Sequence, residues 1–315
     1  MVILGAWNFP YSTAIGPMVD AMAAGNTVVL KPSELAPHVA EATELLFRKY
    51  LDPNAYICVN GGVKVAVRAT QAKADLIVFT GSTEKGKLVA KAAAENLVPV
   101  MLELGGKSPM IVDKSVDLEY AAAKAAQHSF FNSGQVCIRA DYQIVHQSIL
   151  DEFLKKVVHY AEQMTQGGKL QTFTGKVIND PSTQRLCDLL NPEDHKGKVI
   201  YGNQNAFADR KLTPTIVVNP DLNSGMMKDE IFGPIMPVVT FNRIEEAIAL
   251  INSKAKPLAV YYYGQNSLDN ESLMKVKTQT YSGSFLVNDC TLQYMNNDMG
   301  FGGVGGSGMG RIHGK

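Results

Sequence analysis

Residues 76–104 read LIVFTGSTEKGKLVAKAAAENLVPVMLEL, and the pattern changes twice within them. LIVFT at 76–80 is a short apolar run of strand length. From Thr83 to Asn96 the apolar residues recur at helical spacing, and PVMLEL at 99–104 returns to an apolar run. A strand, a helix and a strand in such close succession require a crossover, so the two strands lie parallel in one sheet. The same alternation extends back to the start. VIL at 2–4 precedes a helix from Tyr11 to Ala24, TVVL at 27–30 a helix from His38 to Tyr50, and YICV at 56–59 a helix from Val63 to Ala72. Five parallel strands of this kind are expected to form a nucleotide-binding sheet, assigned to residues 1–104.

The pattern loosens beyond Gly105-Gly106, where two glycines allow the chain to hinge. A helix from Leu118 to about Phe131, a strand YQIVH at 142–146 and a helix from Ile149 to Gln166 precede a polar stretch that runs to about 212. TPTIVV, IMPVVTF and AVYYYG follow, with helices between them. The expected fold is α/β: a parallel-sheet nucleotide-binding domain (1–104), an α/β catalytic domain (105–305) and a C-terminal segment (306–315).

Composition narrows the function classes. The 315 residues carry 30 Lys plus Arg and 30 Asp plus Glu, so no overall field draws the chain to nucleic acid or to an acidic membrane surface. Cys58, Cys137, Cys187 and Cys290 show no CxxC pairing and no metal-like spacing with the six histidines, which argues against a structural metal and against a disulfide framework. A reducing, cytoplasmic setting and a small-molecule partner fit best. The stretch AIGPMVDAMAAGNTVVLK is interrupted by Asp20 and Gly25-Asn26 and falls short of the ~20 apolar residues that a membrane span needs. The start of the sequence shows no signal-peptide pattern.

Gly303-Val304-Gly305-Gly306-Ser307-Gly308 satisfies GxGxxG, but no amphipathic helix follows it, so it reads as a mobile loop and not as a pyrophosphate site. FTGSTEKGK at 79–87 is the better candidate. A strand ends there, Gly81 permits a tight turn, and Ser82 or Thr83 can cap a helix whose free N–H groups attract phosphate. An ordinary capped helix explains that stretch equally well. In LKPSE, Lys31 and Glu34 stand where α/β sheets bind ligands, though a solvated strand end is the plainer reading.

Glu103 closes an apolar strand, where burial would raise its pKa and poise it as a base, though a strand-end carboxylate in water is the commoner outcome. Cys137, in NSGQVCIRAD, is flanked by polar residues and glycine, and Arg139 nearby would favour a thiolate, though a free cysteine is more usually a buried core residue. Asn8, in GAWNFP, follows a strand in a loop that suits an amide donating to an oxyanion, though an exposed loop asparagine is the plainer reading of that residue alone.

GAWNFP, AAGNTVVLKPSE, FTGSTEKGK, LELGGKSP, NSGQVC, DEIFGP and FGGVGGSGMG occur in an order and spacing that resemble the aldehyde dehydrogenase superfamily along essentially the whole chain. Ala6 before Trp7, KPSE at 31–34, KPLAVY at 256–261 and the terminal HGK look most like its class 3 and fatty aldehyde branch. The resemblance implies Cys137 as nucleophile, Glu103 as general base and Asn8 as oxyanion-hole amide. It implies contacts from Lys31 and Glu34 to the adenosine ribose, a pyrophosphate turn at Gly81 and Ser82, and placement of the nicotinamide ribose and ring by Glu230 and Phe232. The cofactor is then NAD or NADP, no metal is involved, and the reaction is non-acylating oxidation of an aldehyde to a carboxylic acid. Acyl transfer to coenzyme A is disfavoured by Glu103. Against the family pattern the chain looks shortened at both ends, Gly306 stands where this branch often has Glu, and Ile312 where it often has Tyr. Partners implied are an aldehyde, a second copy in a full-length homodimer, and a membrane only through a C-terminal anchor outside this sequence. An inactive structural subunit of a larger assembly is the alternative.

Overall fold

The computed structural model describes residues 1–167 and 175–314; residues 168–174 of the polar stretch, and Lys315 of the 306–315 segment, lie outside the described residues. Two compact units are present, one of Met1–Gly105 with Asn296–Lys315 and one of Gly106–Met295. The first begins β1 (Val2–Leu4), α1 (Ser12–Ala23), β2 (Val28–Lys31), α2 (Pro37–Tyr50), β3 (Tyr56–Cys58), α3 (Val63–Thr70), β4 (Ile77–Thr80), α4 (Thr83–Ala94) and β5 (Val100–Glu103). The second runs β6 (Pro109–Val112), α5 (Leu118–Phe130), β7 (Tyr142–His146), α6 (Leu150–Met164), α7 (Asp180–Leu189), α8 (Pro192–His195), β8 (Lys198–Tyr201), β9 (Asn205–Ala206), β10 (Lys211–Leu212) and β11 (Thr215–Val218). It continues α9 (Gly225–Lys228), β12 (Ile235–Phe241), α10 (Ile244–Asn252), β13 (Ala259–Tyr263), α11 (Glu271–Gln279), β14 (Ser284–Val287) and α12 (Leu292–Met295), and β15 (Gly308–Met309) belongs again to the first unit.

In the first unit the five strands read from sequence are all present and all parallel, in the order β5-β4-β1-β2-β3. Both faces of β1 are buried, because helices cover the sheet on each side. Val2 and Leu4 pack with Ile77, Val89, Ala93 and Leu102, whereas Ile3 packs with Ala14, Met18, Leu30, Phe47 and Val78. Each of the larger of these side chains, Val, Leu, Ile, Met or Phe, stabilises the unit by about 1.5–3 kcal/mol. A sixth strand, β15, adds antiparallel to β5 with Gly308 opposite Glu103. The GxGxxG segment is therefore no mobile loop. Ser307 is fully buried, its carbonyl accepts from the Leu104 N–H at 3.1 Å, and Thr83 Oγ1 donates to the Gly306 carbonyl at 2.8 Å. Those bonds also place residues from Asn296 onward with the first unit, so the compact units divide earlier than the expected end of the second domain at 305.

The second unit has a seven-stranded sheet, β14-β13-β6-β7-β12-β11-β8, parallel except for β8 against β11. The interior strand β6 goes unread in the sequence, being only four residues long and opening on a proline. Met110, Ile111 and Val112 are nevertheless fully buried. Ala121, Ala122, Ala125 and Ala126 line one face of α5. Their small side chains pack in one core with Phe153, Val157 and Ala161 of α6.

Candidate active site

Parallel pairing brings the carboxyl ends of β1, β2, β4 and β5 to one edge of the first sheet. Leu4 lies opposite both Lys31 and Phe79, and Thr80 lies opposite Glu103. The loops leaving that edge carry Asn8, Glu34, Gly81 and Ser82, the position at which such sheets bind ligands. Asn8 is partly buried in a loop closed by Thr13, whose Oγ1 accepts from the Ala6 N–H at 2.9 Å and donates to the Phe9 carbonyl at 3.0 Å.

Lys31 is buried, and its Nζ donates to Glu34 Oε2 at 2.5 Å and to the Pro32 carbonyl at 2.8 Å. Burial pushes the Glu34 carboxyl up, but the bond from Lys31, a backbone hydrogen bond and the lysine's charge together outweigh it and leave the carboxyl below the ordinary value. Glu34 helps line a pocket with Pro32, Pro37, Ala40, Glu41, Asn60 and Gly61. Ser82 caps α4, with its Oγ accepting from the Lys85 N–H at 3.4 Å. A Cβ at Gly81 would approach the Phe79 ring to 2.5 Å, so the turn into α4 has no room for a side chain.

Glu103 is only 4% exposed, and neither carboxylate oxygen has a hydrogen-bond partner among the described residues. Burial pushes its carboxyl up to about 9, against the opposing pull of the Arg311 guanidinium. It is therefore protonated near neutral pH and becomes a base only once it ionises. The glycine-rich tail walls it in, since a Cβ at Gly302 would stand 3.0 Å from Glu103 Oε1.

In the second unit, α5 ends at Phe130 and the backbone turns left-handed at three successive residues, Asn132 (φ 51°), Ser133 (φ 53°) and Gly134 (φ 70°). Such a conformation costs non-glycine residues about 1 kcal/mol or more each, and side chains hold it in place. Gln135 Nε2 donates to the carbonyls of Asn132 and Lys176, both at 3.2 Å, while its Oε1 accepts from the Ile178 N–H at 3.0 Å. Ser133 Oγ donates to the Gly175 carbonyl at 2.8 Å. Cys137 follows in a turn and is partly exposed, whereas Val136 and Ile138 on either side are buried. Tyr261 OH donates to the Ile138 carbonyl at 2.6 Å and fixes the far side of the turn.

Arg139 serves another purpose than the one expected from its proximity to Cys137. It is 1% exposed, donates to the carbonyls of Gly233 and Ile235, and pairs with Asp141 at 3.5 Å. Glu230 and Phe232, both partly buried, lie in the loop before β12. Because β7 and β12 are parallel neighbours, this loop and the Cys137 turn leave the same edge of their sheet. Burial pushes the Glu230 carboxyl up to about 8, with Asp141 adding to the effect, and Glu230 Oε1 is buried without a hydrogen-bond partner among the described residues.

The family model described as "Aldehyde dehydrogenase family" matches residues 1–315. The chain belongs to the aldehyde dehydrogenase family. It is an enzyme of that family's reaction, the oxidation of an aldehyde to a carboxylic acid with hydride transfer to NAD or NADP. It is similar to the "Aldehyde dehydrogenase, dimeric NADP-preferring" of Rattus norvegicus, 41% identical over 316 residues that span 100% of this chain and 68% of that protein. "Aldehyde dehydrogenase family 3 member A2" of Rattus norvegicus is 39% identical, spanning 100% of this chain and 64% of that protein. Among solved structures, "Substrate bound state of Staphylococcus Aureus AldH" superposes with a TM-score of 0.93 at 35% identity, covering 99% of this chain and 68% of that one.

The residues present suit the family's dinucleotide. The pocket beside Glu34, the paired lysine and carboxylate at the end of β2, and the side-chain-free turn into α4 fit a ribose and a pyrophosphate. The unpartnered Glu230 Oε1 fits a second hydroxyl donor. Sequence reasoning missed the buried Lys107–Asp141 pair, 2.6 Å apart. The signal was present, because a lysine between the glycines of LELGGKSP and an apolar strand must find an acid if it is buried.

Proposed function

We propose that Cys137 is the nucleophile of this aldehyde dehydrogenase, that Glu103 is the base which activates water, and that Asn8 donates to the oxyanion. The observation that carries the reading is the partly exposed Cys137 between two buried neighbours, in the turn that follows a strained, side-chain-pinned segment at 132–134. A sulfur held there meets an aldehyde carbonyl without being drawn into the core.

The thiolate of Cys137 adds to the carbonyl carbon, forming the C–S bond and moving the carbonyl electron pair onto oxygen. The Asn8 amide and the Cys137 backbone N–H donate to that oxyanion. When bound, the oxidised nicotinamide supplies the acceptor for the hydride that the tetrahedral carbon expels. Collapse leaves a thioester on Sγ. Glu103, ionised, takes a proton from water, whose oxygen attacks the thioester; the C–S bond breaks, the acid departs and the thiol is restored. Lys31, Glu34, Gly81 and Ser82 hold the adenosine and pyrophosphate portions, and Glu230 and Phe232 orient the nicotinamide ribose and ring. Homodimeric assembly is supported by the rat relative named as dimeric.

The test is aldehyde-dependent reduction of the nicotinamide by the purified chain and its Cys137→Ser variant. A hydroxyl in place of the thiol should lower oxidation by several orders of magnitude while cofactor affinity is kept. A variant that retains most of its single-turnover rate would assign the nucleophile elsewhere.

A further inference from the structure

We propose that Lys107, Arg139 and Asp141 are positioning residues for hydride transfer: together they fix the loop 229–235, and with it Glu230 and Phe232, against the segment that carries Cys137. This inference rests on the roles proposed above for Glu230, Phe232 and Cys137.

Every second residue of the loop has its backbone held by one of these three side chains. Lys107 Nζ donates to the Asp229 carbonyl at 2.9 Å. Asp141 Oδ1 accepts from the Ile231 N–H at 3.1 Å. Arg139 donates through Nη1 to the Gly233 carbonyl and through Nη2 to the Ile235 carbonyl, the latter at 2.6 Å. The three holders are themselves joined, Lys107 to Asp141 at 2.6 Å and Arg139 to Asp141 at 3.5 Å. Glu230 and Phe232 are the residues between the anchored ones, and both are partly exposed while Ile231, Gly233 and Ile235 are buried.

The cluster is costly to build. The side chains of Lys107, Arg139 and Asp141 are at most 4% exposed, and taking such charges out of water offsets much of their mutual attraction, so apolar residues of similar volume often serve stability as well. What apolar residues cannot do is bind four backbone groups of one loop at fixed spacing. Arg139 also lies two residues beyond Cys137, so one guanidinium ties the nucleophile's own segment to the loop. The two are packed tightly enough that a Cβ at Gly134 would collide with the Gly233 carbonyl and come within 2.5 Å of Arg139 Nη1. Hydride transfer requires the reacting atoms in near-attack geometry, and small displacements there are expensive.

The experiment compares the full chain with Asp141→Asn, with the double variant Lys107→Met/Asp141→Leu, and with Lys107→Met alone, which keeps the Arg139–Asp141 pair intact and so guards against simple unfolding. Four quantities are read: hydrogen exchange of the 229–235 amides, affinity for oxidised NAD, single-turnover aldehyde oxidation, and cofactor-free hydrolysis of an activated aryl ester, which needs Cys137 and water but no hydride transfer. In the folded double variant we expect faster exchange in the loop, weaker NAD binding and oxidation slowed roughly 10- to 100-fold, with ester hydrolysis changed no more than about twofold. Unchanged loop exchange would overturn the proposal, as would an equal loss of oxidation and ester hydrolysis, which would mark the cluster as general scaffolding. A wild-type chain inactive toward both aldehyde and ester would sink the assigned roles of Cys137 and Glu103, and the exchange response would still decide the anchor.

Discussion

Glu103 is the residue whose physical state constrains the chemistry most. A carboxyl raised to about 9 by burial binds a proton in the folded chain over a pH range in which the unfolded chain has lost it. The sign follows from linkage: with more protons bound by the native state, stability falls as pH rises from the ordinary carboxyl value of 4.5 toward about 9. Glu103→Gln removes that dependence. Its melting temperature should exceed that of the wild type at pH 9 and approach it near pH 5, a comparison that scanning calorimetry makes directly. Identical profiles would mean that Glu103 ionises as freely in the native chain as in water. Under the role proposed for Glu103 the same substitution separates the two halves of the reaction, since hydride transfer does not need the base and thioester hydrolysis does. A burst of reduced nicotinamide should survive in Glu103→Gln while steady turnover collapses. Residue identity alone left burial with a raised pKa beside the commoner reading of a solvated strand-end carboxylate. It did not show that the carboxyl lacks any partner among the described residues or that the glycine-rich tail encloses it, because that contact joins positions about two hundred residues apart in sequence.

At the scale of elements, the turn between α5 and β7 concentrates the strain. Gly134 combines a left-handed backbone (φ 70°) with contact against the Gly233 carbonyl and Arg139. Gly134→Ala should therefore cost more than about 2 kcal/mol, seen as a lower denaturant midpoint, and should reduce oxidation beyond what instability explains. A Gly134→Ala variant as active and as stable as the wild type would show that the turn relaxes easily. Ser82→Ala provides the contrast: it removes one cap bond at 3.4 Å and should cost only about 1 kcal/mol. The elements built on long local periodicity, β1 to β5 and the helices α1, α2, α4, α5 and α6, were legible because pattern and burial agree in them. PMIV at 109–112, which opens on a proline, and SFLV at 284–287, which opens on a serine, were not, since neither stands in a regular strand–helix alternation like that of residues 1–104. β15 was hidden for a different reason: two residues of glycine-rich tail become a strand only because β5 offers an unpaired edge.

At the scale of the whole molecule, each of the two sheets presents its own edge. The first presents loops from the carboxyl ends of parallel strands, the usual ligand edge, and carries Asn8, Lys31, Gly81 and Glu103. The second presents the Cys137 turn and the Glu230–Phe232 loop from the amino-terminal ends of β7 and β12, an edge that strand topology alone would not have nominated. Fold class and the presence of a nucleotide-binding sheet could thus be read from pattern, and most candidate residues from motif, while the buried Lys107–Arg139–Asp141 cluster required coordinates. The central claim is that Cys137 carries the substrate as a thioester which Glu103 releases. Its most direct test is intact-protein and peptide mass spectrometry of Glu103→Gln after mixing with an aldehyde and oxidised nicotinamide cofactor. The account predicts one acyl group per chain on the peptide containing Cys137, accumulating in Glu103→Gln and not in the wild type. An acyl group on Cys58, Cys187 or Cys290, or reduction of the cofactor with no adduct on Cys137, would contradict it.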